Sequence, residues 1–342
     1  MPEGEARLPA EALHALARQA LIAAGTSPAN AEAVADALIA AELDGIPSHG
    51  LSRLPFYAEQ VRSGKVDGRA EPVLSRPAPA VLRVDARSGF AFPAIARGLD
   101  AAEAALPETG ALALAIANSH HCGILGHAVE GCAARGLFAL AFANTPAAIA
   151  PAGGSRGLFG TNPIAFACPR RAGPPLVIDL SMSVVARGKI MLAAAKGEAI
   201  PAGWALDAAG EPTTDAKAAL GGTMAPIGGA KGAALALIVE LLAAALTRSH
   251  FGYEASSFFD AEGPPPRVGQ FFLLLDPVPF GGDAVLARVE ALLSAMLAEE
   301  GVRLPGARRQ ESRARLARDG IALPAALLRE LECRAEADGS AP

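Results

Sequence analysis

The sequence predicts a mixed α/β (α+β) fold, in which a helical N-terminal part (1–72), joined by C-terminal helices (283–342), accompanies a sheet domain (73–282). Three observations lead to this prediction. Hydrophobic residues make up 51% of the 342 residues and charged residues only 19%, as in an ordinary globular protein. Apolar residues recur at helical spacing up to about residue 70. Beyond it, short apolar runs are separated by Gly and Pro, which is typical of strands.

Three helices are predicted before residue 72. The first ends at Gly25, which suits a left-handed C-cap. Ser27 supplies an N-cap for the second, which ends at Gly45. The third begins near Ser48 and ends before Gly64. Each has an apolar face, so together they should form a small helical core.

From residue 72 onward, predicted strands alternate with helices. The strand-length segments are nearly all apolar, which is typical of a sheet covered on both faces. The predicted strands are Ala80–Val84, Ala111–Ala117, Leu137–Ala143, Ile164–Cys168, Leu176–Leu180 and Phe271–Leu275. The predicted helices are Phe92–Leu106, Gly126–Arg135 and Ala233–Leu246, with Pro264–Pro266 in a surface loop.

Charge and composition exclude several classes of function. The formal net charge is −5, so the chain has no bulk attraction to nucleic acid or anionic lipid. The four Cys residues form no CxxC pair and fit small buried residues in a reducing compartment. The N-terminus is charged throughout, unlike a signal peptide, and Glu240 interrupts the longest apolar helix. We therefore expect a soluble, cytoplasmic protein with no nucleic-acid or membrane partner.

Several common catalytic motifs are missing from the sequence. It contains no GxGxxG after a strand, no HExxH and no GxSxG. A segment like a phosphate loop ends at Lys231 but lacks the Ser or Thr that would hold magnesium. His121 and His127 are six residues apart and would not share a helix face, so no metal site is expected.

A polar stripe at the start of the third helix is the first candidate site. If that helix begins near Ser48, then His49, Arg53 and Tyr57 lie four residues apart on one face. A His can exchange a proton near neutral pH, and an Arg one turn away can bind a carboxylate. This pair fits the reduction of a 2-oxo or 2-imino acid, although a capped helix with a solvated His and Arg gives the same pattern.

Three further segments favour anion binding. Segment 118–127 follows a strand and opens a helix, and its Gly123 allows a ligand close to the backbone. Lys231 lies in the first turn of a helix, against the helix dipole, which favours a bound anion. Segment 303–309 begins the densest basic cluster, which could bind the 2′-phosphate that distinguishes NADP from NAD. An ordinary turn or a solvated helix face is the alternative for each.

Together these segments resemble the malate/L-lactate dehydrogenase family that lacks a Rossmann fold. The matching stretches occur in family order from about residue 10 to 320. They are DGIPSHGLSRLPFYAEQVRSGKVDG, NSHHCGILGHA, FGTNPIAFACP, VIDLSMSVVARGKI, GEAIPAGWALDAAGEPTTD, PIGGAKGAALALIVELLAAAL and RLPGARR. Within the family, SHGLSRLPFY, MSVVARG and GGAKGAALALIVELLAAAL look most like the Δ1-piperideine-2-carboxylate/Δ1-pyrroline-2-carboxylate reductases.

The resemblance implies a largely antiparallel, non-Rossmann cofactor-binding sheet in a homodimer with sites near the subunit interface. It implies His49 as the proton donor, Ser48 as its hydrogen-bonding partner and Arg53 as the ligand of the substrate carboxylate. The other catalytic or substrate-binding residues are expected to be Lys189, Tyr57, Thr161 and Arg187. The implied cofactor-binding residues are His121, Cys122, Gly123, Ile124, Leu125, Asp179, Leu180, Ser181, Ala230, Lys231, Arg303, Leu304, Pro305, Gly306, Arg308 and Arg309.

The implied reaction is the NADPH-dependent reduction of a cyclic 2-imino acid, Δ1-piperideine-2-carboxylate or Δ1-pyrroline-2-carboxylate, to L-pipecolate or L-proline, with NADH as a weaker reductant. Similar imine reductases carry an acidic residue at the position of Lys189. A lysine there resembles the malate-oxidising branch of the family instead. The alternative is therefore an NAD(P)-dependent 2-hydroxy-acid dehydrogenase of malate or lactate type. A nucleotide-binding protein without catalysis is a third hypothesis, against which the presence of His49 and Arg53 argues.

Overall fold

The computed structural model describes residues 4–336 of the chain. Its helices are α1 Ala10–Ala23, α2 Pro28–Leu43, α3 Leu54–Arg62, α4 Ala91–Thr109, α5 Leu125–Ala134, α6 Arg187–Lys196, α7 Ala216–Gly221, α8 Ala230–Val239, α9 Asp283–Leu297, α10 Ala307–Asp319 and α11 Ala325–Glu336. Its strands are β1 Glu5–Leu8, β2 Val73–Ala78, β3 Val81–Asp85, β4 Ala111–Ser119, β5 Phe138–Ala143, β6 Ile164–Cys168, β7 Leu176–Leu180, β8 Ala205–Leu206, β9 Pro212–Thr213, β10 Thr223–Met224, β11 Val268–Leu275 and β12 Ile321–Pro324. Short 3-10 turns span Pro47–His49, Leu51–Arg53 and Val278–Phe280, and a π-helix spans Glu240–Ala245.

A seven-stranded sheet with the order β2-β3-β4-β11-β5-β6-β7 forms the centre of the molecule. Its neighbouring strands are antiparallel except for β3 and β4, which are parallel and connected through α4. The expectation of a mixed, largely antiparallel sheet is thus confirmed. Although β11 comes more than 120 residues after β5 in the sequence, it lies between β4 and β5 in the middle of the sheet.

Helices cover both faces of this sheet. On one face, α4 and α5 pack against the main apolar core. On the other face, Val239 and Ala243 of α8 and the π-helix pack on Phe142 and Phe271. Because β5 and β6 contribute small buried residues such as Ala141 to the core, the helices can approach the strands closely.

A second core lies between α1, α2, α3 and α11. It encloses Leu21, Leu38 and Leu54, each fully buried. The antiparallel pair of β1 and β12 brings the two ends of the described chain together beside this core. A third, smaller core lies among α6, α7 and the short sheet of β10, β8 and β9.

A buried carboxylate connects the helical part to the sheet. Asp44, at the end of α2, accepts hydrogen bonds from His127 of α5 and Arg313 of α10, both at 2.8 Å. Burial opposes the charge, but these bonds outweigh it and lower the pKa of Asp44. Arg313 also pairs with Glu130 of α5 at 2.9 Å. The network fixes the first turns of α5 against α2 and α10.

No helix among residues 4–336 combines the length and apolar composition that crossing a bilayer requires.

Candidate active site

The connection between α2 and α3 begins the candidate site. It consists of the 3-10 turns Pro47–His49 and Leu51–Arg53, separated by Gly50 in a non-helical conformation (φ −94°, ψ −143°). The buried Glu42 carboxylate causes this break, since it accepts a hydrogen bond from Leu51 N at 2.7 Å and fills the space that a Cβ of residue 50 would need.

The prediction of one continuous helix beginning at Ser48 is therefore wrong, and His49, Arg53 and Tyr57 do not share a helix face. The two turns bring the polar groups together in another way. Arg53 Nε donates a hydrogen bond to Ser48 O at 2.8 Å, so the guanidinium folds back towards the turn that carries His49.

His49 is positioned by its neighbour in the chain. Ser48 Oγ lies 3.0 Å from His49 Nδ1, and the His49 ring lies 5.5 Å from the ring of His121, centroid to centroid. Burial, together with the positive charges of Arg53 and Arg309, lowers the pKa of His49 to about 4. The imidazole is therefore neutral at pH 7 and is able to accept a proton.

Arg53 carries a buried positive charge that has no anionic partner within the described part of the chain. Its side chain is buried, and Nη1 has no hydrogen-bond partner among residues 4–336. The Phe259 ring covers the guanidinium at 4.4 Å from Cζ to the centroid. Because an unpaired buried guanidinium is costly, this edge is suited to a ligand carboxylate.

Tyr57 lies behind these residues. It is fully buried, and its hydroxyl is 2.6 Å from His121 Nδ1. Its ring also packs on Phe90 and His120. The structure thus places Tyr57 where it orients His121.

The loop from β4 to α5 carries the predicted cofactor residues 121–125. Gly123 has φ +62°, which glycine tolerates, and the other four residues are buried. At the N-terminus of α5, Gly126 N donates a hydrogen bond to Asp179 Oδ2 at 2.9 Å, and Arg309 pairs with that carboxylate at 3.5 Å. The anion expected at this helix N-terminus is therefore the chain's own Asp179.

Thr161 lies next to the end of β7. Its carbonyl oxygen accepts hydrogen bonds from Met182 N at 2.8 Å and Ser181 Oγ at 3.3 Å. Its backbone N–H donates to Thr145 Oγ1 at 2.9 Å. Thr161 and Ser181 are thus fixed to each other, whereas Leu180, the last residue of β7, is half exposed.

Glu240, the first residue of the π-helix, holds the Thr161 loop in place through hydrogen bonds. Its buried carboxylate accepts hydrogen bonds from Asn162 Nδ2 at 2.9 Å and from the backbone N–H groups of Gly160 and Gly252, each at 3.2 Å. Asn162 itself has φ +41°, in the left-handed region that Asn adopts more readily than most residues other than glycine. The carboxylate thereby connects the Thr161 loop to the segment that follows residue 250.

Two further cations lie at the first turn of α6. Its Gly188 packs beside Ser48, since a Cβ at this position would lie 3.8 Å from Ser48 Cβ. Arg187 is half-buried and donates a hydrogen bond to Leu220 O at 3.3 Å, while Lys189 is exposed. Neither forms an ion pair within the described part of the chain. Burial lowers the pKa of Arg187.

The remaining predicted cofactor residues lie on two exposed edges. Ala230 and Lys231 follow Gly228 and Gly229, which have positive φ and open space where a Cβ would lie. The 303–309 segment comprises the end of the connection from α9 and the first residues of α10, and its residues 303–305 and 307 line a cavity of about 240 Å³. Within this segment Arg303, Pro305 and Arg308 are exposed, and Leu304, Gly306 and Arg309 are partly buried.

Sequence reasoning missed several residues that hold the site together. Glu240 was read only as an interruption of an apolar helix, and Lys65, Asn162 and Phe259 were not singled out. An acidic residue within an apolar stretch of fourteen is itself a signal, because a buried charge needs partners.

Comparisons with known proteins identify the family to which the chain belongs. The sequence model of the family described as malate/L-lactate dehydrogenase matches residues 8–332. The (2R)-3-sulfolactate dehydrogenase (NADP(+)) of Chromohalobacter salexigens is 58% identical over 298 residues, which is 87% of this chain and 89% of that protein. The delta(1)-pyrroline-2-carboxylate reductase of Ancylobacter novellus is 43% identical over 312 residues, or 90% and 92% of the two chains.

A solved structure has the same fold. The delta1-piperideine-2-carboxylate reductase of Pseudomonas syringae pv. tomato superposes with a TM-score of 0.91 at 39% sequence identity. The match covers 96% of this chain and 99% of that one.

Proposed function

Because the chain belongs to the malate/L-lactate dehydrogenase family, we propose that it is an NADP-dependent oxidoreductase acting at C2 of a small carboxylic acid. The observation that carries this proposal is the unpartnered Nη1 edge of the buried Arg53, beside a neutral His49. A carboxylate bound there would place its C2 substituent near a group that can take or return a proton.

The residues around the site are suited to binding NADP. Arg303, which lines the cavity, and the exposed Arg308 offer cations for a 2′-phosphate, and the open backbone at Gly228–Gly229 allows a ligand to approach closely. Asp179–Ser181 and loop 121–125 complete the proposed binding surface. When bound, the nicotinamide ring supplies or accepts the hydride.

Each catalytic side chain then has one task. Arg53 binds and orients the carboxylate, and Phe259 keeps water from one face of its guanidinium. In the oxidation of a hydroxy acid, C2 loses a hydride while His49 accepts the hydroxyl proton. In the reverse direction His49 returns that proton, and Ser48 holds Nδ1 so that the ring keeps its orientation.

Among substrates, a 2-hydroxy acid with a second anionic group is our first candidate. Arg187 and Lys189 flank Gly188, which packs beside Ser48, and neither has an anionic partner among residues 4–336, so a second anion bound near this turn would be attracted to them. A 3-sulfolactate has a carboxylate and a sulfonate, and the 58% identical relative is named for it. Reduction of a cyclic 2-imino acid, which the sequence favours, stays the second candidate, supported by the 43% identical relative.

The test is a pair of assays that follow nicotinamide absorbance. Purified protein is mixed with NADP⁺ and 3-sulfolactate, malate or lactate, and separately with NADPH and Δ1-piperideine-2-carboxylate or Δ1-pyrroline-2-carboxylate. We expect the highest kcat/KM with 3-sulfolactate. Lys189→Met should raise the KM for 3-sulfolactate about tenfold or more while lactate, with one anion, changes little.

Turnover of the cyclic imines alone would reverse our order of the two substrates. If none of these acids reacts and Arg53→Ala has the same affinity for oxamate as the unaltered protein, then the proposed carboxylate site itself is wrong.

We also propose that the protein is a homodimer, as the resemblance implies, with α8 in the interface. Five large apolar side chains on and after this helix are each more than two-fifths exposed: Leu235, Leu237, Ile238, Leu241 and Leu246. Met191 and Leu192 of α6 are exposed apolar residues as well. A surface of this kind is typical of a protein interface, and a second copy of the chain would cover it.

A further inference from the structure

The turn formed by residues 257–262 packs directly on the carboxylate site. Its Phe259 lies over the Arg53 guanidinium, at 4.4 Å, and makes an edge contact with Phe56 at 6.0 Å between centroids. The neighbouring Phe258 packs on the rings of His120 and His121, each at 5.2 Å. Both aromatic residues thus contact groups of the proposed site.

A buried lysine holds this turn in place. Lys65, which follows α3, is fully buried and donates hydrogen bonds to Asp260 Oδ1 at 2.9 Å and to the carbonyl oxygens of Asp260 at 3.2 Å and Glu262 at 2.6 Å. Gln60 of α3 donates a fourth bond, to Asp260 O at 2.8 Å. Two further hydrogen bonds close the turn. Phe259 N donates to Ser257 Oγ, and Glu262 N donates to Asp260 Oδ1.

The cost of burying Lys65 shows how firmly the turn is fixed. An ammonium group is removed from water only at a considerable price in free energy, unless every proton finds an acceptor. Here three acceptors come from one short turn, so moving the turn would leave the charge unpaired. The position of Phe259 is therefore tied to α3, the helix that directly follows Arg53.

The consequence for Arg53 is that its Nη1 is left without a partner among residues 4–336. Its Nε is used by Ser48 O, and Phe259 covers one face, which leaves Nη1 for a ligand. We propose that Phe259 is a positioning residue that orients Arg53 for the substrate carboxylate, and that Lys65 acts through it. This inference rests on the proposed function, in which Arg53 binds that carboxylate.

Two substitutions of Phe259 and one of Phe56 test the inference. Phe259→Leu keeps an apolar side chain but removes the aromatic face, so we expect the KM for the acid substrate to rise about tenfold, with kcat and the Kd for NADPH within twofold. Phe259→Trp restores an aromatic face and should return KM towards the unaltered value. Phe56→Leu is the matched control, because Phe56 touches Phe259 but not Arg53, and its KM should stay within twofold.

The role of Lys65 is tested by a double substitution. Lys65→Met should raise KM in the same way as Phe259→Leu, and the double variant should be no worse than Phe259→Leu alone. Circular dichroism and thermal unfolding check that each variant is folded, and Phe259→Met replaces the leucine variant should that one fail to fold.

An unchanged KM in Phe259→Leu, or an equal loss of affinity for acid and NADPH, would overturn the inference. So would additive effects of Lys65→Met and Phe259→Leu, since Lys65 would then act by another route. Calorimetric binding of oxamate, an unreactive analogue of a 2-oxo acid, separates this failure from that of the proposed function. If oxamate binding depends on Arg53 but not on Phe259, only the positioning role is wrong; if it does not depend on Arg53, the site is wrong.

Discussion

At the scale of single residues, the charge state of His49 decides how the reaction depends on pH. Its pKa is lowered to about 4 in the free protein, so the neutral form that accepts a proton is complete above about pH 5. Since kcat/KM reports the ionisations of the free enzyme, we expect kcat/KM for hydroxy-acid oxidation to stay level down to about pH 5 and to reach half its value near pH 4. Initial rates across this range measure it.

A midpoint near the ordinary His value of about 6.5 would contradict this environment for His49. The control is His49→Gln, which should lower kcat by about 100-fold or more at every pH while leaving the Kd for NADPH unchanged.

The residues of the site differ in how far the sequence could predict them. His49 and Arg53 lie in a short motif whose residue types already suggest their chemistry, whereas Thr161 was expected from the family resemblance alone. Lys65 and Glu240 could be predicted in neither way, because their partners are 195 and 78 residues away along the chain. Pairing between buried groups at such separations follows from the tertiary fold alone.

At the scale of secondary structure elements, Glu240 connects the start of the π-helix to two neighbouring loops. The carboxylate accepts hydrogen bonds from two backbone N–H groups and from the side-chain amide of Asn162, so each of these partners is a donor that needs an acceptor. In Glu240→Gln an amide group would face these donors and lose at least one bond. We expect the free energy of unfolding to fall by about 2 kcal/mol and the KM for the acid to rise, measured by urea unfolding and steady-state kinetics.

Glu254→Gln is the matched control, because that carboxylate is exposed and accepts a single hydrogen bond, from Phe251 N. Its effect should stay within about 0.5 kcal/mol. Equal stability of the two variants would show that Glu240 has no special role in this segment.

The elements themselves were predicted unevenly. Ile164–Cys168 and Leu176–Leu180 were predicted with their observed bounds, since both are short, largely apolar runs that directly follow a proline. The break at Gly50 was missed, because it is caused by Glu42 and not by the local sequence. Val73–Ala78 was also missed, since this mostly exposed edge strand lacks an apolar pattern.

At the scale of the whole molecule, the exposed apolar face of α8 predicts the oligomeric state. Ile238 and Leu241 lie one turn apart and are 45% and 52% exposed. A lysine at each position would have to be buried, unpaired, in the proposed interface. We therefore expect Ile238→Lys with Leu241→Lys to be a folded monomer by light scattering, while the unaltered protein is a dimer.

Leu292→Lys is the control for this substitution, because Leu292 of α9 is 63% exposed and lies outside the α8 face. It should leave the mass unchanged. A dimer that persists in the double variant would place the interface elsewhere.

The order of strands in the central sheet has a consequence for how the chain is made. During synthesis β4 and β5 emerge about 130 residues before β11 is complete, and β11 is the strand that must lie between them. At typical rates of translation this leaves their facing edges open for on the order of ten seconds. Open strand edges promote pairing with other chains, so a nascent chain of this protein is most exposed to aggregation in that interval. Slower elongation between residues 143 and 268 would lengthen the period, and chaperone binding during it would protect the yield of folded protein.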